Sequence, residues 1–146
     1  VMSLRDGTKK MSKSEESDFS RINLKDNADD IIKKIKKAKT DTLPIPDNEA
    51  DLKKRSEALN LLNIYGDLTN TSLTEVLKEM KGKEFSFFKK KLSDVVVEVV
   101  CPVGENMKKL MKEKSHLDAI LQKGKEKASN IAEENLKKIR SIVGLI

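Results

Sequence analysis

The sequence predicts an all-α protein: a bundle of amphipathic helices preceded by a short strand and a polar loop. Three observations carry this. Apolar residues recur every three or four positions through most of the chain beyond residue 26. Helix-starting and helix-stopping residues bracket those stretches. The composition, 37% hydrophobic, 37% charged and 3% aromatic, suits solvated helices around a modest core.

Taken in order, Val1 to Leu4 read as the end of a strand, and Arg5-Asp6-Gly7-Thr8 as a turn. A chain that opens on an apolar stub running into a charged loop is expected to be a domain entered in its middle. Lys9 to Ser17 have no apolar period and read as a mobile loop. Asp26 or Asn27 caps a helix with Ile31, Ile32, Ile35 and Ala38 on one face; Lys33, Lys34, Lys36, Lys37 and Lys39 lie around the rest. Leu43-Pro44-Ile45-Pro46-Asp47 excludes helix and imposes an extended path. The expected domain boundary falls there, between residues 1–42 and a helical domain of 43–146.

Beyond the break, Ala58, Leu59, Leu61, Leu62 and Tyr65 mark a helix that begins near Ser56 and ends at Gly66 or near Asn70. Ser72 to Glu75 form a capping box for a short helix that stops at Gly82. The run Val95 to Val100 has the β-branched density of a strand, yet Phe85, Phe88, Leu92, Val95, Val96, Val99, Val103, Met107 and Leu110 keep a helical spacing. One long helix is predicted, with the valine run in the core and Pro102 kinking the axis at about 3 kcal/mol. Ser115 to Asp118 cap a short helix ending at Gly124, and a last helix carries Ala128, Ile131, Ala132, Leu136, Ile139 and Val143.

Thirty Lys and Arg against 24 Asp and Glu give a net charge of +6, a mild tilt toward polyanionic partners. The single Cys101 can form no internal disulfide and reads as a small buried filler; a reducing, cytoplasmic setting fits. One histidine, His116, supplies no zinc pair. No signal peptide and no apolar run near 18 residues is present, so membrane spanning is unsupported.

Gly7 to Ser14 almost spell a phosphate-binding P-loop, but Ser12 stands where the second glycine is needed and no apolar-faced helix follows Ser14. Read instead as Lys10-Met11-Ser12-Lys13-Ser14, the segment resembles the Lys-Met-Ser-Lys-Ser loop of class I aminoacyl-tRNA synthetases. Met2-Ser3-Leu4 and Thr8-Lys9 before it, and Ile22, Leu24, Asp26, Lys34-Ile35, Ala38 and Thr40-Asp41 after it, resemble the Trp and Tyr branch of that class. Arg55-Ser56-Glu57-Ala58, Asn60-Leu61-Leu62, Ile64-Tyr65, Phe88, Val95, Val96, Glu98, Pro102 and Gly144-Leu145 resemble the bacterial tryptophanyl-tRNA synthetases. Met11-Ser12, where tyrosyl enzymes usually carry Phe-Gly, favours tryptophan.

The resemblance implies a helical bundle of the anticodon-binding type, with the strand and loop as the remnant of a Rossmann-like catalytic domain. It implies ATP as substrate, magnesium brought with ATP and held mainly by phosphates, and tryptophan and tRNA(Trp) as partners of a homodimeric parent enzyme. Lys10 and Lys13 are the implied catalytic residues. Positive charge placed in advance against the leaving pyrophosphate stabilises the transition state preferentially. Val1, Lys10, Met11, Ser12, Lys13 and Ser14 are the implied ATP contacts, and Lys33, Lys37, Lys54 and Arg55 the candidate tRNA contacts. Because the sole histidine cannot complete the class's His-x-Gly-His motif, the chain alone is expected not to activate tryptophan. The other reading is a stand-alone helical module for nucleic acid or protein.

Overall fold

Of the two candidate caps, Asp26 and Asn27, Asn27 starts the first helix: its side chain accepts a hydrogen bond from the Asp30 amide and α1 runs Ala28–Lys36. The computed structural model describes residues 1–145, with helices α2 Glu49–Leu52, α3 Ser56–Thr69, α4 Leu73–Met80, α5 Phe85–Lys112 and α6 Lys114–Ile142 following in order. A single 3₁₀ turn, Asp18–Ser20, precedes α1. The all-helical expectation holds. The predicted strand reduces to one antiparallel bridge between Met2 and Lys10, because among the described residues no second strand lies beside it.

Local signals placed most boundaries. Ser72 and Glu75 form both halves of the capping box, and Asn70 closes α3 in the left-handed region at φ 53°. Gly66, one of the two expected ends of α3, lies inside it. A Cβ there would stand 2.7 Å from the Thr71 carbonyl oxygen, so the glycine serves close packing. The one-turn α2 was not expected; Asn48 caps it through the Asp51 amide.

The chain divides into two units, Val1–Glu105 and Asn106–Ile146. The first holds the core: Leu4, Ile31, Ile35 and Ala38 join Ile45, Leu52, Leu61, Leu62, Val76, Met80, Phe88, Leu92 and Val96 in one cluster. Tyr65 and Phe85 meet the Phe88 ring edge-on at 5.6 and 6.3 Å. These seats fall on α3, α4 and the first turns of α5, as the three-to-four spacing requires. Ile45, between the two prolines, donates to the Lys83 carbonyl and accepts from the Gly82 amide, which seats it in the core.

Three expectations are corrected. Lys34, grouped with the solvated lysines of α1, is 5% exposed, whereas Ile32 is only half-buried. Position 34 lies three residues from Ile31 and four from Ala38, so geometry turns it inward, and two carboxylates neutralise it there. The α5 stripe is core only to Val96; Val99 and Val103 are 42% and 46% exposed, and Cys101 is half-buried. Periodicity reports a helix face and says nothing of what covers it. The helix nonetheless runs through Pro102 unbroken, and Gly104 lets its backbone approach Leu24: a Cβ would lie 2.4 Å from that carbonyl oxygen.

In the second unit the expected stop at Gly124 is absent, and α6 is one helix of 29 residues starting after Glu113. A mid-helix glycine costs only about 1 kcal/mol relative to alanine, too little to break a long helix. None of the α6 residues is buried.

Candidate functional site

The polar loop is built on a narrow hairpin. The Ser3 amide donates to the Lys9 carbonyl at 2.8 Å and the Met11 amide to the Val1 carbonyl at 3.4 Å, which brackets the Met2–Lys10 pair. The turn between the limbs is tied by Asp6, whose carboxylate accepts from the Thr8 amide at 3.0 Å and its hydroxyl at 2.6 Å. Those bonds hold the Asp6 carboxyl below its ordinary pKa. Gly7 sits against the start of α3, where a Cβ would lie 2.4 Å from the Ser56 carbonyl carbon. Only glycine fits that backbone contact.

Asn60, 6% exposed on α3, holds the other edge of Met2. Its carboxamide oxygen accepts from the Met2 amide at 2.9 Å, and its nitrogen donates to the Met2 and Ser3 carbonyls at 3.0 and 3.3 Å. The sequence offered no reason to single out this residue beyond its place in a resembling segment, since only the fold brings positions 58 apart together.

The far end of the loop is anchored by ions. Arg21 donates to the Glu15 carbonyl at 2.8 Å and pairs with Asp18 at 3.1 Å. The Lys34 ammonium lies 2.6 Å from Asp18 and 2.6 Å from Asp26. Burial works against the charged ammonium, but the two carboxylates outweigh it and raise the Lys34 pKa; Lys34 in turn lowers that of Asp18. Asn23 completes the cluster by donating through its amide to Asp26 at 2.8 Å and through its side chain to Asp18 at 2.9 Å.

Between these anchors, Lys10, Lys13 and Ser14 are exposed, and Met11 and Ser12 half-exposed. Among the described residues neither lysine pairs with a carboxylate, in contrast to Lys9, which lies 3.7 Å from Asp6. The Ser12 and Ser14 hydroxyls are 2.9 Å apart, and Ser12 accepts from the Ser14 amide, which tightens the turn around Lys13. Met11 points back into an apolar cavity of about 160 Å³ with Val1, Leu4, Ile22 and Val96 in its lining. A cleft of about 430 Å³ is lined by Val1, Met2, Gly7, Asn60, Lys53 and Asp67.

The candidate tRNA contacts differ in availability. Lys33 is exposed on α1, and Lys37 stands 4.6 Å over the Phe19 ring. Lys54 pairs with Asp51 at 2.9 Å. Arg55 is engaged throughout: its Nε donates to Asp41 at 2.7 Å, and its guanidinium also reaches the Pro44 and Leu43 carbonyls at 2.8 and 2.9 Å. This fork ties the proline segment to the start of α3, and it accounts for the arginine without a ligand.

Comparison with known proteins accords with this arrangement. Residues 1–101 match the family model of tRNA synthetases class I (W and Y). Over all 146 residues the chain is 52% identical to the tryptophan–tRNA ligase of Rhizobium meliloti, of which it spans 41%. Over 144 residues it is 49% identical to that of Caulobacter vibrioides, of which it spans 42%. The chain thus covers about two fifths of the length of these relatives. A crystal structure of tryptophanyl-tRNA synthetase from Mycoplasma pneumoniae superposes with a TM-score of 0.58 at 25% identity, over 75% of this chain and 35% of that one. With a doubly anchored Lys-Met-Ser-Lys-Ser loop inside the matched region, the chain belongs to the W and Y family of class I tRNA synthetases.

Proposed function

We propose that this chain supplies one ATP-handling loop and the tRNA-contacting helices of a tryptophan–tRNA ligase. In that reaction the tryptophan carboxylate attacks the α-phosphate of ATP, pyrophosphate leaves, and the tryptophanyl group of the resulting adenylate passes to a hydroxyl of tRNA(Trp) as AMP leaves. Lys10 and Lys13 act as catalytic cations on the leaving pyrophosphate, with Ser12, Ser14 and loop amides as neutral donors, while the Val1 backbone abuts adenine. The observation that carries this reading is that both lysines are exposed and, among the described residues, free of carboxylates on a loop fixed at each end. A cation without a partner in the free protein keeps its field for the charge that develops in the transition state.

Magnesium enters with the nucleotide. It is held mainly by the phosphates in this reading; Asp6 and Asp18, the carboxylates at the two ends of the loop, are engaged by Thr8 and Lys34. Residues 1–42 are assigned to the catalytic part and 43–146 to the tRNA part. Lys33, Lys37, Lys54 and Arg55 are the proposed tRNA contacts, and Arg55 would have to exchange Asp41 for a phosphate. A cytoplasmic, homodimeric ligase is proposed with them; no helix among the described residues is long and apolar enough to cross a membrane.

The test is a chimera that joins this chain to the preceding part of the Rhizobium meliloti relative. Tryptophan-dependent exchange of pyrophosphate into ATP is expected from the chimera and not from the chain alone. Lys10→Ala and Lys13→Ala should each lower kcat by about 10²–10³-fold with no change in melting temperature. Unchanged rates in both variants would remove the lysines from the chemistry. Equal binding of tRNA(Trp) and a tRNA with a mismatched anticodon at moderate salt would leave the helices as a structural module.

A further inference from the structure

We propose that Asn60 is a positioning residue for the Lys10–Lys13 loop: its carboxamide stands in for a neighbouring strand along the free edge of Met2. The proposal rests on the reading of that loop as a polyphosphate site.

The hairpin itself makes the point. Met2 and Lys10 form the pair of an antiparallel ladder whose hydrogen bonds lie on either side of it, from Ser3 to Lys9 and from Met11 to Val1. In such a pair the N–H and C=O of Met2 point away from Lys10 and need partners on the opposite edge. No strand lies there among the described residues; Asn60 does, and it meets both groups, at 2.9 and 3.0 Å. A carboxamide is the one uncharged side-chain group that presents a donor and an acceptor side by side in the manner of a peptide. The partners also fix its orientation, since the oxygen must face the Met2 amide.

Asn60 is rigid where it needs to be. It is buried in the second turn of α3 between Ala58 and Leu61, both 1% exposed. Gly7 adds a second contact between the same hairpin and the first turn of α3. The base of the loop is therefore referred to a helix and not to solvent, and Lys10, the last residue of the bridge, leaves from a fixed point. Without Asn60 the Met2 N–H and C=O would be left to water in the adjoining cleft, and the hairpin would lose its outer support.

The experiment uses the whole chain and follows backbone amides by NMR. Asn60→Asp keeps shape and acceptor but turns the donor that holds the Met2 and Ser3 carbonyls into an acceptor. Asn60→Leu removes both functions at similar size. In either variant the Ser3 and Met11 amides should exchange about tenfold faster or more, while Ile31, Ile35 and Val76 keep their protection. The shifts that inorganic pyrophosphate induces at Ser12, Lys13 and Ser14 should shrink in the same variants. Asn63→Ala, in the same cleft but with no bond to Met2, should change neither. Protection at Ser3 and Met11 unchanged in both Asn60 variants would overturn the proposal, as would an equal loss in Asn63→Ala. The underlying reading is judged apart: if pyrophosphate shifts nothing in the parent chain and Lys10→Ala is silent, the phosphate site fails, while amide exchange still decides the role of Asn60.

Discussion

Replacing Lys34 by methionine should destabilise the first unit by about 3 kcal/mol, the lower end of what breaking a buried ion pair costs. The magnitude follows from what is left behind. The ammonium is 2.6 Å from both Asp18 and Asp26, and the Asp26 side chain is only 9% exposed. Without Lys34 that carboxylate keeps Asn23 as a donor but loses its counter-charge in a site water barely enters. Asp18, with 55% of its side chain exposed, re-solvates cheaply and adds little. Urea unfolding followed by the emission of Tyr65, the sole tyrosine and a core residue, reads the first unit directly. With a slope of about 1.5 kcal/mol per molar, the midpoint should fall by roughly 2 M. Adding Asp26→Asn should recover part of the loss, since the pair is coupled. A loss below about 1 kcal/mol would refute the reasoning, because that is the worth of a solvated surface pair.

Gly7→Ala forces a Cβ to 2.4 Å from the Ser56 backbone and should cost about 1–3 kcal/mol, measured in the same unfolding assay; a neutral result would mean the turn can move away from α3. The Asp41 carboxyl has a lowered pKa: burial alone would raise it, but bonds from Arg55 and the Leu43 amide more than offset this. A depressed carboxylate stabilises the fold above its unfolded value, near 3.8, and that contribution is lost as pH falls through the folded value. Wild type should therefore lose more stability than Asp41→Asn between about pH 5 and pH 2, and parallel curves would exclude the linkage. Gly124→Ala should strengthen α6 by up to about 1 kcal/mol and raise amide protection around residue 124, whereas a helix stop there would make alanine harmful.

Helix existence was legible in the residues because it depends on neighbours three and four positions apart, and those are fixed by the chain itself. The capping box at Ser72 and the left-handed Asn70 show how local such signals are. The loop from Lys10 to Ser14 was legible for a similar reason: apart from Met11 its side chains stay near the surface, so a short motif describes nearly all of it. Burial was not legible in the same way. Lys34 occupies an inward position on α1, yet only the approach of Asp18 and Asp26 from outside that helix makes a buried ammonium tolerable. The apolar stripe of α5 is equally regular before and after Val96, and what differs is whether anything packs on it. Gly124 failed as a stop because one weak local preference competes with the cooperativity of a long helix.

The sequence by itself therefore determined most of the helices, several of their caps and the cationic loop, but not the one-turn α2 or the continuity of α6 through Gly124. Only the tertiary structure decided what anchors that loop. Asn60 reaches Met2 across 58 positions, and Lys34 reaches Asp18 across the start of α1. Hydrogen bonds and ion pairs of that kind depend on distances that the chain acquires only when its core closes, so no local pattern announces them.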